Sequence, residues 1–347
     1  MLSLLWFILI LGAIVAVHEF GHFIFAKLSN IYVYEFSIGM GKKIFGKKRN
    51  GGETEFCIRA VPLGGYVMIA GEDVEDEKIP KDRQMCNKNF IRRFLVLFAG
   101  AFNNFVFAFL MLFISALIYG AVSTKPYIGE VANGYPASEV GIEAGDLVLK
   151  IDGKKIHNWD TALVELQTNK GDTITFEVEK KDGSIKTYDV KPKKEVDEEG
   201  NASYKFGIAT NSVKEYGFGK SISYACNKFI SLFGSMWDTL KYLFTGKVGV
   251  NQLSGPVGIY SIVDSQSKQG FEAILYLVAY LSINVGIINL LPFPAFDGGR
   301  ILFLFIEKIF KKPVSKKTEN IIHTIGFMLI IGLLIYVTFN DLIRLFR

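Results

Sequence analysis

Four stretches of this chain contain no Asp, Glu, Lys or Arg: Met1–Val17, Phe94–Thr124, Ala273–Phe296 and Asn320–Asn340. A helix that crosses a bilayer needs about 20 mostly apolar residues, with its backbone polar groups bonded inside the segment. The last three stretches meet this outright. The first meets it by running on through His18-Glu19-Phe20-Gly21-His22 to Lys27. No basic residue precedes Lys27, so the charged start of a secretory signal is missing and the stretch reads as a span. Half of the 347 residues are apolar and 21% are charged, against about 25% in soluble domains. Disorder and collagen-like repeats are excluded, and a net charge of +5 without clustering gives no footprint for nucleic acid.

The expected order is a first span over 1–28, a cytosolic membrane-associated β-hairpin region over 29–93 and a second span over 94–122. A soluble α+β domain follows over 123–212, then an amphipathic surface helix and connector over 213–271. The third span covers 272–299, a cytosolic loop 300–319, and the fourth span with the C-terminus 320–347. Lys and Arg number 13 in segment 27–93 and six in 300–317, so both face the cytosol. Both termini and segment 125–272 then lie outside.

Within 29–93, Lys42–Gly52 reads as a hairpin with Glu53–Ile58 returning, and Arg59–Met68 as two short strands about a Pro/Gly turn. The acidic run Glu72–Glu77 reads as solvated loop. In 221–244, Lys228, Ser231, Ser235, Asp238 and Lys241 make a thin polar stripe on an otherwise apolar helix, the pattern of a helix lying on a membrane surface, with a core helix of the outer domain as the alternative. Cys57, Cys86 and Cys226 are scattered and odd in number, so they read as ordinary thiols.

The chemistry points to His18-Glu19-Phe20-Gly21-His22, an HExxH. On a helix, positions i and i+4 share a face, so both imidazoles reach one zinc ion while Glu19 serves as general base. Two histidines and a glutamate at the end of an apolar span are costly unless they function. A hydrolytic zinc takes three protein ligands and keeps one open position. His157, in the soluble domain, and His323, at the start of the fourth span, read as structural. Asp297 is the better third ligand. It follows an apolar stretch closed by Pro292 and Pro294 and is followed by Gly298 and Gly299, irregular backbone tolerated at membrane depth only under cover of protein or water.

These residues resemble the site-2 protease family of intramembrane zinc metalloproteases, in its PDZ-containing bacterial branch. The family's HExxH is met on the first span, and its NxxPxPxLDG motif by Asn289, Pro292, Pro294, Asp297 and Gly298, with Phe296 in place of the Leu. Pro62–Met68 resembles the family's membrane-associated hairpin and Gly255–Ile259 its GPVGI stretch. The family's GPxxN reads Gly100-Ala101-Phe102-Asn103-Asn104 here, without the proline. Tyr127–Val131, Tyr135–Val148 and Ile151–Gly153 follow the pattern of protease-linked PDZ domains.

The resemblance implies a polytopic α-helical membrane protein of four spans, with a membrane-associated β-hairpin region and one extracytoplasmic α+β PDZ-like domain, in a bacterial cytoplasmic membrane. It implies Zn2+ held by His18, His22 and Asp297, with Glu19 as base and Asn289 positioning or polarising the scissile peptide. Partners would be the lipid bilayer and single-span membrane proteins cut within the membrane, such as shortened anti-sigma factors or remnant signal peptides. Peptide ends would sit at the PDZ groove, with Lys125–Gly129 as the carboxylate-binding loop, and no nucleic acid is expected. A non-catalytic zinc-binding receptor or scaffold is the alternative, which an intact Glu19 opposes. A proton-relay transporter leaves both the HExxH spacing and the PDZ-like domain unexplained.

Overall fold

The computed structural model describes residues 2–345 except 73–75, 170, 197–201, 211–212, 250–252 and 313. They fall into two compact units, Met1–Met111 with Ser254–Phe339, and Leu112–Leu253 with Asn340–Arg347. Among the described residues four helices are long and apolar enough to cross a membrane: α1 (Leu2–Leu28), α2 (Phe90–Tyr119), α7 (Phe271–Leu290) and α9 (Lys316–Leu345). α2 starts four residues ahead of the apolar stretch because Asn89 caps it, its Oδ1 accepting the Arg92 N–H at 3.0 Å. The helix then runs unbroken through Gly100–Asn104, as expected where Ala101 replaces a proline.

In the first unit, α6 (Pro256–Lys268) packs with α1 and α7 around Ile10, Ile14, Val263, Ile274 and Leu277. After α1 the chain forms two long antiparallel strands, β1 (Val33–Lys48) and β2 (Glu55–Ile69), rather than the separate short hairpins expected. Both strands bend at glycines with left-handed φ, Gly39 and Gly41 in β1 and Gly64 in β2. Residues 55–58 pair with both 45–48 and 35–38, while 65–69 pair with 33–38. The first half of β1 therefore lies between the two ends of β2. Residues 65–69 are left as an outer strand, without a further strand partner among the described residues.

The connection after α7 also departs from expectation. Only Leu291–Phe296 is irregular, and a 14-residue helix, α8 (Asp297–Phe310), occupies the segment read as loop. Gly298 and Gly299 look like helix breakers but serve close approach. A Cβ on Gly298 would strike the Leu290 and Leu291 carbonyls, and one on Gly299 would lie 3.0 Å from the Phe293 carbonyl carbon. Ala295 takes a left-handed φ of 78°, costly for a residue with a Cβ, and its N–H donates to His323 Nδ1 of α9 at 2.9 Å. Gly326 lets α9 rest on Pro294, 2.8 Å from its carbonyl carbon by the same measure.

The second unit holds a small α+β domain. Its four-stranded sheet runs in the order β6 (Lys154–Lys155), β5 (Leu147–Ile151), β7 (Ile174–Glu179), β8 (Ile185–Val190). A separate pair joins β4 (Ile128–Val131) to β11 (Ile208–Thr210). Helix α4 (Trp159–Thr168) closes a core in which Phe176, Val148 and Val178 are fully buried. A groove of about 450 Å³ lies between α4 and β11, lined by Leu163, Leu166, Gln167, Phe206, Gly207 and Ile208 among others.

The segment Lys125–Gly129, expected to be a carboxylate-binding loop, does not line that groove. Tyr127 bridges Leu147 and the Ile128 N–H donates to the Asp146 carbonyl, so this backbone is committed to the sheet. The segment beside the groove is Phe206-Gly207, where Gly207 turns at φ 80°.

Helix α5 (Phe218–Phe244) carries the polar stripe read from the sequence, but the stripe meets the α+β domain rather than water. Lys228 Nζ pairs with Asp160 at 2.6 Å, and Ser231 donates to the same carboxylate. Asp238 and Glu165 hold Lys154 at 2.8 and 2.7 Å. Burial alone would lower the Lys154 pKa, but hydrogen bonds to these carboxylates and to the Tyr242 hydroxyl raise it. The opposite face leaves Ile230, Trp237 and Phe244 exposed.

Candidate metal centre

Helices α1 and α2 approach unusually closely. Gly21 makes this possible, since a Cβ there would come within 2.7 Å of the Ala99 carbonyl carbon and 3.1 Å of Asn103 Cβ. Directly across, Gly100 of α2 faces the two imidazoles, and a Cβ on it would lie 2.6 Å from His18 Cε1 and 2.8 Å from His18 Nε2. Small residues at such crossings let membrane helices pack backbone to backbone. Here they also clear room for the rings of His18 and His22, which lie edge to face with centroids 4.8 Å apart.

The ring nitrogens converge with Asp297. His18 Nε2 and His22 Nε2 are 3.2 Å apart, and Asp297 Oδ2 lies 3.2 Å from the first and 3.4 Å from the second. Three donors on a tetrahedral zinc at about 2.0–2.1 Å stand about 3.3 Å apart, so this triangle has the size of one face of that site. Asp297 Oδ2 is buried, and both imidazole Nε2 atoms face it. His22 Nδ1 lies 2.8 Å from the Val96 carbonyl; a carbonyl only accepts, so the proton is on Nδ1 and the Nε2 lone pair is free. A buried carboxylate oxygen set against two imidazole nitrogens, one of them preset as a ligand, fits a divalent cation of the zinc type.

The triangle forms part of the wall of a cavity of about 240 Å³, also lined by Glu19, Tyr66, Val67, Glu72 and Arg300. Glu19 packs toward the outer strand, and a Cβ on Gly65 would sit 3.5 Å from Glu19 Cγ. The Tyr66 hydroxyl donates to Glu35 at 2.8 Å, and Glu35 is paired with Arg59.

Part of the acidic run has partners that the sequence did not reveal. Glu72 pairs with Arg300 at the cavity wall, and Asp76 accepts from the Tyr34 hydroxyl; residues 73–75 lie outside the described set. Asn289 sits half-buried in the last turn of α7 and is not among the residues lining the cavity. His157 is exposed in the other unit, and His323 bonds the backbone of Ala295, so neither joins the centre. A second cluster, Glu35, Glu55 and Cys57, has its carboxylates paired with Arg59 and Lys43.

Sequence reasoning passed over Gly100 and Asn104 as site residues. Asn104 is buried, with Nδ2 3.3 Å from His18 Nδ1. The available signal was the resemblance to GPxxN, whose Gly and Asn these residues match, together with their spacing, four apart and so on one face of α2.

The family model described as Peptidase family M50 matches residues 6–333. A protein named zinc metalloprotease RasP from Shouchella clausii is 32% identical over 99% of each chain. A Clostridium perfringens protein, named as a candidate zinc metalloprotease, is 39% identical over 97% of each chain. Among solved structures, the PDZ domain of an SdrC-like protein from Listeria monocytogenes is 26% identical, covering 25% of this chain and 88% of that one with a TM-score of 0.22. The chain belongs to peptidase family M50, the site-2 proteases, and is a multi-pass membrane zinc metalloprotease.

Proposed function

We propose that His18, His22 and Asp297 hold the catalytic zinc, that Glu19 is the general base, and that the substrates are transmembrane segments of single-span proteins. The observation that carries this reading is the triangle of donor atoms 3.2–3.4 Å on a side, with Glu19 beside it and an outer β-strand across the cavity. When bound, zinc supplies Lewis acidity that activates water and polarises a carbonyl. Glu19 takes a proton from the attacking water and delivers it to the leaving amide nitrogen. Asn289 stands at the end of α7, ahead of the break that carries Asp297, and we assign its amide to orienting the scissile peptide. Shortened anti-sigma factors and remnant signal peptides are the substrate classes this reading favours.

A peptide bond within a helix is shielded by its own hydrogen bonds, so the substrate must be unwound and held extended. Residues 65–69 offer an edge on which it can pair as an added strand, with Tyr66, Val67 and Ile69 lining the cavity. Adjacent N–H groups on a strand point to opposite sides. Of Tyr66→Pro and Val67→Pro, one therefore breaks the ladder to β1 and the other removes only a donor of the free edge. The free-edge variant is expected to cut a single-span substrate at least about tenfold more slowly with its zinc content unchanged. Equal loss of zinc and cleavage in both variants would make the hairpin a folding element and end the clamp assignment.

In this reading, segments 27–93 and 300–317 face the cytosol, and the α+β domain is PDZ-like and extracytoplasmic. α5 lies on the membrane surface, supported by its exposed Ile230, Trp237 and Phe244 and by the contact of Phe218 with Phe113 of α2 at 5.6 Å. The groove between α4 and β11 then takes extended peptide ends. Replacing its apolar wall with Leu163→Arg is expected to weaken binding of a peptide with an apolar free C-terminus by about tenfold. Fluorescence anisotropy on the full-length protein in detergent measures this, and an unchanged Kd would remove the groove from substrate recognition.

A further inference from the structure

We infer that Asn104 is the positioning residue for His18, fixing the ring and its tautomer by bonding Nδ1; this rests on the metal-centre reading above. The two imidazoles are set by different groups. His22 donates to the Val96 carbonyl, which permits one tautomer only. The polar group at His18 Nδ1 is the Asn104 amide, 3.3 Å away. Asn104 is fully buried at 0% exposure, and its backbone carbonyl accepts a hydrogen bond from Ser282 of α7 at 3.1 Å. Its position is thus fixed by two helices. Its Oδ1 is buried and without a hydrogen-bond partner.

The two ends of a carboxamide are nearly the same size, but one donates and the other accepts. With Nδ2 toward His18, Nδ1 accepts and the imidazole proton sits on Nε2, the nitrogen that faces Asp297. Turned by half a rotation about Cβ–Cγ, the presently unpartnered Oδ1 accepts from Nδ1–H, and Nε2 offers its lone pair to the metal. An amide at this place serves both tautomers, and an apolar side chain serves neither. Metal-ligating histidines commonly need such a partner, and its removal costs about 10–100-fold in metal affinity. Gly100, one turn earlier on the same face of α2, leaves the space for the ring that Asn104 orients.

The test uses the full-length protein in detergent micelles. Zinc affinity is measured by competition with a chromophoric chelator, and ligand geometry by the visible absorption of the cobalt-substituted protein. Asn104→Leu is expected to bind zinc about 10–100-fold more weakly. Asn104→Asp, whose carboxylate oxygen accepts from Nδ1–H, is expected to stay within about threefold of the wild type with the same cobalt spectrum. Wild-type affinity in Asn104→Leu, or an Asn104→Asp as weak as Asn104→Leu, would overturn the inference. If Asn104→Leu does not remain monodisperse, Asn104→Asp decides alone, and a loss of tenfold or more refutes the role. A His22→Ala protein that keeps wild-type zinc affinity would instead refute the metal centre, and this inference with it.

Discussion

Glu19→Gln is expected to lower the rate of cleavage of a single-span substrate by about 10³–10⁴-fold, with zinc still near one per chain. The substitution keeps the size of the side chain at the cavity wall and removes only its capacity to take a proton. Glu19 lies outside the triangle of donor atoms, so metal binding does not depend on it. Zinc measured by elemental analysis, alongside cleavage in detergent or nanodiscs, separates the two properties. Normal cleavage by Glu19→Gln would remove the base assignment and make another group responsible for proton transfer. Loss of zinc together with activity would mean that Glu19 shapes the centre instead.

Asp297→Ala is expected to abolish stoichiometric zinc and, with it, cleavage. The carboxylate is the anionic member of the donor set and closes two sides of the triangle. It also stands in the first turn of α8, where the helix dipole favours a negative charge. A ligand that binds only the native state at a hundred times its Kd stabilises it by about 2.7 kcal/mol. Chelator should therefore lower the unfolding temperature of the wild type and leave that of Asp297→Ala unchanged. Retention of tight zinc by the variant would break the ligand assignment while leaving the family membership intact.

The residues proposed for the centre were legible because each violates its surroundings. Two histidines and a glutamate at helical spacing close an apolar stretch, and an aspartate ends another between prolines and glycines. Gly100 and Asn104 carry no such contrast. The resemblance to GPxxN marked this glycine and asparagine without giving them a role, which comes from α1 crossing above them at Gly21, a contact that periodicity does not encode.

The hairpin was legible as β structure but not as a sheet, because its pairing depends on where Gly39, Gly41 and Gly64 turn the strands. In the α+β domain the segment expected to bound the groove and the strand that lines it, Ile208–Thr210, are some 80 residues apart, and only the β4–β11 pairing reveals which strand lies beside α4. The glycines after Asp297 suggested a loop for the same reason that they permit a helix, since without side chains α8 starts against the end of α7.

If the proposed centre cuts a polypeptide, the crossing at Gly21 and Gly100 limits where that polypeptide can reach it. Along that seam the backbones already touch, and the imidazoles fill what space the glycines leave. Parting α1 from α2 would pull His18 away from Asn104 and His22 away from the Val96 carbonyl, dismantling the centre in order to expose it. The seam is therefore the hinge side of the door. In the proposed reading the latch side is across the cavity, at the outer strand and the Glu72–Arg300 pair, none of which supplies a proposed ligand, and a substrate would arrive alongside Tyr66 and Val67.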